Sequence, residues 1–173
     1  MSAPAFDRSL RSPLFRQISF SLALVCGCVP PLQAGETGKL TRETWNNVPG
    51  SAVTNLSDLP RFHGGPDAVS LVSGAVAPSN AGDNYGSRLR GYVTAPVTGD
   101  YTFWESGDDA VELRLAENSD KFAAEVMAWH SGWTNPQQWD KYVTQQTPTL
   151  RLAAGQKCYV ELRHKEGSGS DNL

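Results

Sequence analysis

The sequence is short of cysteine. Three occur in 173 residues, at Cys26, Cys28 and Cys158, and the first two lie within a few residues of each other near the N-terminus. A removable leader would take both with it, so an intramolecular disulfide framework is excluded even in an oxidising compartment. Cys158, in an alternating strand pattern, reads as a small buried hydrophobe. Basic residues are not in excess either: 15 Lys and Arg stand against 18 Asp and Glu. Nucleic acid and anionic membranes are therefore poor partners. The apolar run Ile18 to Val29 is shorter than the roughly 20 residues a spanning helix needs, so no membrane span is expected. Catalytic signatures are missing too: there is no Gly-x-Ser-x-Gly elbow, no P-loop and no His-Glu-x-x-His. His63, His130 and His164 have no metal-ligand spacing. The expectation is a binding domain and not an enzyme, with no catalytic residues.

What is present begins with a leader. Arg8, Arg11 and Arg16 precede the apolar run, and Pro30-Pro31-Leu32-Gln33-Ala34 follows it, which is the layout of a secretory signal peptide over residues 1–34. Losing Arg8, Arg11, Arg16 and Asp7 with it takes the 15 basic and 18 acidic residues to 12 and 17, a formal charge of −5. Val25-Cys26-Gly27-Cys28 also resembles a lipobox, the alternative being a lipoprotein anchored at Cys28. Either route places the chain outside the cytoplasm, secreted or on the cell surface. Residues 35–38 read as a short linker, and residues 39–173 as one domain, a size that allows a modest core.

Within that domain, residues 49–84 are rich in Gly, Pro, Ser, Asn and Asp and read mostly as loop with short extended pieces. Arg88 to Ala95 and Tyr101 to Ser106 are β-rich runs around a Pro and Gly turn, which predicts a hairpin. Val111, Leu113 and Leu115 alternate with Glu112 and Arg114, the pattern of a half-buried strand. Thr149 to Ala153 and Lys157 to His164 predict a second hairpin, with Cys158, Val160 and Leu162 facing inward. Residues 120–129 fit either a short helix, with Phe122, Val126 and Trp129 at helical spacing, or an irregular strand. Short strands at such intervals argue for an all-β antiparallel sandwich or barrel with long loops.

Five segments together resemble the PA14 family, a β-sandwich named for the first domain of anthrax protective antigen and found in bacterial glycosidases, yeast flocculins and adhesins. They are Thr41 to Gly50, Asp83 to Phe103, Ser106 to Leu113, Leu152 to Glu161 and His164 to Asp171. The likeness is to versions in large secreted bacterial proteins, and it implies carbohydrate binding or adhesion, with a glycan or extracellular polysaccharide as partner and further domains in the intact chain. The other class of reading is a structural or protein-interaction domain with no small ligand. Family members continue past the Gly-rich segment with a closing strand that usually carries a Trp, so the resemblance implies that residues 39–173 are a fragment lacking that strand.

Asp108 and Asp109 lie in a tight loop between two strands. In lectin members of the family the matching pair binds Ca²⁺, which in turn holds sugar hydroxyls; Ca²⁺ takes six to eight oxygens in flexible geometry, and a vicinal diol can replace two waters. Paired aspartates can equally cap local backbone N–H groups. The loop from Glu166 to Asn172 could complete the cage, with Asp171 and Asn172 as further metal ligands and Glu166 as a ligand-binding candidate. Two neighbouring carboxylates on one loop suit chelation better than glycoside hydrolysis, which needs carboxyls across the scissile bond. Trp133 and Trp139 could offer an apolar face to a pyranose ring. The weightier expectation for both, and for Trp45, Trp104 and Trp129, is burial in the core.

Overall fold

In the computed structural model, which describes residues 38–173, the two ten-residue strands dominate the architecture. The strands are β1 Lys39–Trp45, β2 Ala68–Ser73, β3 Tyr85–Thr94, β4 Gly99–Tyr101, β5 Ala110–Ala116, β6 Glu125–His130, β7 Leu150–Leu152 and β8 Lys157–Glu166, with a short α-helix, α1, at Val53–Ser57 and 3-10 turns at Lys121–Ala123 and Val143–Gln145. Six form one antiparallel sheet in the order β2-β1-β3-β8-β5-β6, while β4 and β7 form a second, two-stranded sheet. The fold is all-β, as the short alternating runs predict. The leader, the lipobox and most of the linker lie outside the described residues.

Neither predicted hairpin forms. β3 pairs with β8 in ten register positions, from Tyr85 opposite Glu166 to Thr94 opposite Lys157. The three-residue strands next to them in sequence cross to the other sheet and pair with each other, Gly99 with Leu152 and Tyr101 with Leu150. Ten ladder pairs between long strands outweigh the few a short local partner can offer, and the crossing lets both sheets bury apolar side chains against each other. Both turns are therefore corners between sheets. They are bonded to one another, Ala95 N to Gln156 O at 3.0 Å and Gly155 N to Ala95 O at 2.8 Å.

Between the sheets lie Leu89, Val111, Leu113 and Leu162 in one cluster and Ala95, Leu115, Leu150, Leu152 and Cys158 in another. The alternation predicted for β5 and for Cys158, Val160 and Leu162 holds. A third cluster, Trp45, Val48, Leu56 and Phe62, packs on the opposite, outer face of the large sheet. β8 is buried there as well, at Tyr159, Glu161 and Lys165, because it is a central strand covered from both sides. Residues 120–129 resolve as a 3-10 turn at Lys121–Ala123 followed by edge strand β6. Trp45 is buried as expected, but Trp104 and Trp129 are 48% and 47% exposed. Trp129 lies on edge strand β6, opposite Glu112.

Candidate functional site

At one end of the large sheet, Gly107, Asp108 and Asp109 lead into β5, and Glu166 ends β8 beside them. The register makes this meeting, since Ala110 pairs with Lys165. The loop is pinned from three sides: Asp108 N donates to Asn172 O at 3.0 Å, His164 Nε2 donates to Asp108 O at 2.6 Å, and Asp109 Oδ2 accepts Gly167 N at 3.0 Å. A side chain at Gly107 would collide with Val111 and with the Asn172 backbone, so only glycine fits there. The peptide bond from Asp108 to Asp109 is cis.

One carboxylate oxygen from each of Asp108, Asp109 and Glu166 lies within 4.8 Å of the others. Glu166 is wholly buried, and neither of its oxygens accepts a hydrogen bond. Burial, then repulsion from Asp109, Asp108 and Asp171, pushes its pKa up to about 7. Asp108 is raised by the same causes, burial first and Asp109 next. Two cations stand near: Lys141, which acts on Asp108, and Lys165, buried and lowered by that burial, its Nζ bonded to the Glu166 carbonyl. Three carboxylates held together with empty acceptor positions match what a hard cation takes.

The other two predicted ligands approach from the final residues. Asp171 Oδ2 accepts Ala81 N at 2.7 Å and Gly82 N at 3.1 Å, so half of this carboxylate anchors the 80–82 loop. Its Oδ1 is buried with no donor. Asn172 Nδ2 donates to Thr134 O at 3.0 Å, and its Oδ1 is likewise buried and unpartnered. Glu166, expected as a ligand-binding residue, proves to be the third member of the carboxylate cluster.

The tryptophan loop, residues 131–142, is fastened to the aspartate loop. Thr134 N donates to Gly107 O at 2.7 Å, and Thr134 Oγ1 accepts Gly107 N at 2.8 Å. Beneath it His130 reaches Glu105 Oε1 through Nδ1 at 2.9 Å and Gly107 O through Nε2 at 3.0 Å, both fully buried. One proton is shared along the buried His130–Glu105 contact, whose carboxyl is itself raised by burial. Burial would lower the His130 pKa, but the Glu105 carboxylate outweighs it and holds the pKa above the ordinary value. Tyr142 stacks on His130 at 5.3 Å, and Gln145 Nε2 bridges Glu105 O and Gln138 O. Glu105, His130, Thr134 and Gln145 carry no sequence motif, and only the fold brings them together.

The expected burial of Trp133 and Trp139 does not occur: they are 51% and 46% exposed. The loop bearing them crosses the rim instead of entering the core. Trp133 carries Lys141 Nζ 3.0 Å from its ring centroid, beside the aspartate loop. Trp139 faces elsewhere, lining with Trp104, Phe103 and Leu173 an apolar cavity of about 460 Å³ between the sheets.

No family model matches the sequence. Over 149 residues, 83% of this chain, it is 30% identical to the mouse (Mus musculus) N-acetyl-beta-glucosaminyl-glycoprotein 4-beta-N-acetylgalactosaminyltransferase 1. The match spans only 14% of that enzyme's length. Among solved structures, a PA14 sugar-binding domain from an RTX adhesin superposes with a TM-score of 0.56 at 15% identity, covering 79% of this chain and 86% of that one. The epithelial adhesin 9 A domain of Candida glabrata, in complex with Galβ1-4GlcNAc, gives 0.52 at 12% identity over 78% of each chain. The domain has the PA14-type fold.

Proposed function

We propose that residues 39–173 form an extracellular carbohydrate-binding, adhesive module whose ligand is held at the rim through Ca²⁺. The observation that carries this is the cluster of Asp108, Asp109 and Glu166, with the donor-less oxygens of Glu166, Asp171 and Asn172 beside it. Buried carboxylate and amide oxygens without donors are costly unless something else satisfies them. Asp108, Asp109 and Glu166 would hold the ion, and Asn172 Oδ1 and Asp171 Oδ1 would complete the oxygen set. A bound Ca²⁺ supplies open coordination positions that vicinal hydroxyls of a sugar can fill.

The chain's own residues supply the rest. Thr134 and the His130–Glu105 pair lock the tryptophan loop to the aspartate loop, so Trp133 stands at a fixed place on the rim. Lys141 covers one face of its ring and leaves the other for the apolar face of a pyranose. The sugar-binding adhesins of like fold support the glycan reading, and the Arg-rich leader with its apolar run supports export. The module is read as binding and not catalytic because the rim carboxylates share one small cluster and, among the described residues, no nucleophile with a base stands near it.

Differential scanning fluorimetry of residues 35–173, with Ca²⁺ and with EDTA, tests the cation step. Calcium at 100 times its Kd should raise stability by about 2.7 kcal/mol by mass action. Asp108→Asn with Asp109→Asn should abolish that rise while the β-sheet circular dichroism persists. Glycan-array signals lost on chelation and in the same variant test the sugar step. A protein indifferent to calcium in both assays would overturn the reading.

A further inference from the structure

The rim is not the only place where aromatic rings meet polar groups at a concave surface. On the outer face of the large sheet, at its other end, a groove of about 510 Å³ is walled by Thr41, Arg90, Tyr92, Ser119, Asp120 and Phe122, among others. It is seven residues from the rim along the β3–β8 ladder, since Tyr92 pairs with Tyr159 and Tyr85 with Glu166. At ~3.3 Å per residue that is roughly 23 Å. We propose that this groove is a second saccharide site, which takes a neutral pyranoside and needs no cation.

Phe122 is 87% exposed, yet its loop is tied down. Asp120 Oδ1 accepts Phe122 N at 2.9 Å, Asn118 Oδ1 accepts Asp120 N at 2.8 Å, and Asn118 O accepts Tyr159 N at 2.8 Å. Tyr92 OH reaches Ser119 O at 3.4 Å. A large apolar ring held in water by four hydrogen bonds around it contributes nothing to a core. Tyr92, 46% exposed, is the second ring of the groove. Lys121 Nζ lies 4.9 Å from the Phe122 centroid and Lys157 Nζ 4.2 Å from that of Tyr92, which steadies both rings. Exposed aromatic faces of this kind stack on the C–H face of a pyranose.

The polar wall offers hydrogen bonds of both kinds. Arg90 is fixed by Glu43, which takes its Nε at 3.0 Å and Nη2 at 2.9 Å and leaves the Nη1 hydrogens for another partner. Arg90 is thus offset by Glu43, while Asp120 is the acid in the wall near Lys121 and Lys157. Donors and acceptors both line the wall, which suits hydroxyls, each both donor and acceptor. Among the described residues, the metal-capable cluster lies at the rim and not here.

The test is an array of neutral and acidic oligosaccharides probed in EDTA with residues 35–173. Wild type and the Asp108→Asn, Asp109→Asn variant should both retain at least one neutral glycan, and Tyr92→Ala with Phe122→Ala should weaken it at least tenfold. Both rings are exposed, so the melting temperature should hold; if it does not, Ser119→Arg, which crowds the groove from an exposed position, replaces that variant. No neutral glycan retained in EDTA, retention unchanged by the groove variant, or retention of acidic glycans alone would each overturn the proposal. Signals that vanish with EDTA report on the rim and leave the two sites distinguishable.

Discussion

Two sets of carboxylates sit on the same six-stranded sheet and live under opposite rules. On the outer face Glu43 accepts Arg88 Nε at 2.6 Å and two bonds from Arg90, and Glu161 accepts Arg163 Nε at 2.6 Å and Tyr159 OH at 2.8 Å. Each negative charge there has a fixed guanidinium supplied by a neighbouring strand position. At the rim, Asp108, Asp109 and Glu166 face one another, and Lys165 and Lys141 are near them, but neither makes an ion pair with them. Fixed partners make the first set part of the fold's stability. Their scarcity at the second makes a site, because whatever balances it must come from solution.

The pairing on the outer face should be the more costly to break. Glu43→Gln leaves Arg88, largely buried over Trp45 and Phe62, without its anion, and a broken buried pair costs about 3 kcal/mol or more. Urea denaturation should show that loss with or without calcium. A change below 1 kcal/mol would mean that the Arg88 charge is already solvated.

Acidity separates the two sets by sign. Burial would raise the Glu43 pKa, but the Arg90 and Arg88 bonds outweigh it and hold it below the ordinary 4.5. Its stabilisation is therefore present above pH 4.5 and lost as pH falls below it. Glu166, at about 7 against 4.5, behaves oppositely: its contribution is intact below pH 4.5 and is lost as pH rises toward and through 7. In EDTA, Glu166→Gln should remove that decline, a gain on the order of 3 kcal/mol at pH 8. Equal pH profiles for the variant and wild type in EDTA would show that the rim carboxylates are relieved some other way. The smallest effect belongs to Arg151 and Asp100, both about two-thirds exposed at 3.0 Å. Arg151→Ala should cost less than about 1 kcal/mol, and less still in high salt.

Much of this was legible along the chain. The alternation of Val111, Leu113 and Leu115 and of Cys158, Val160 and Leu162 marks strands because side chains on a pleated sheet point to opposite faces in turn. Asp108 and Asp109 are legible because they are neighbours in a loop. The pairing partners were not, since β3 and β4 look like a hairpin locally and only the long ladder of β3 with β8 shows why they part. The exposure of Trp104, Trp129, Trp133 and Trp139 was hidden as well, because composition says that a ring is apolar but not whether a strand covers it.

The sequence by itself determined the all-β class, the inward faces of the strands and the aspartate pair, which are all properties of residues close together along the chain. Tertiary structure alone decided that Glu166 completes the cluster, that His130 and Glu105 fasten the tryptophan loop, and that Tyr92 and Phe122 share a groove. Those meetings join residues 25 to 58 positions apart in most cases, and such distances are closed by strand register, which depends on the whole sheet and not on any segment of it.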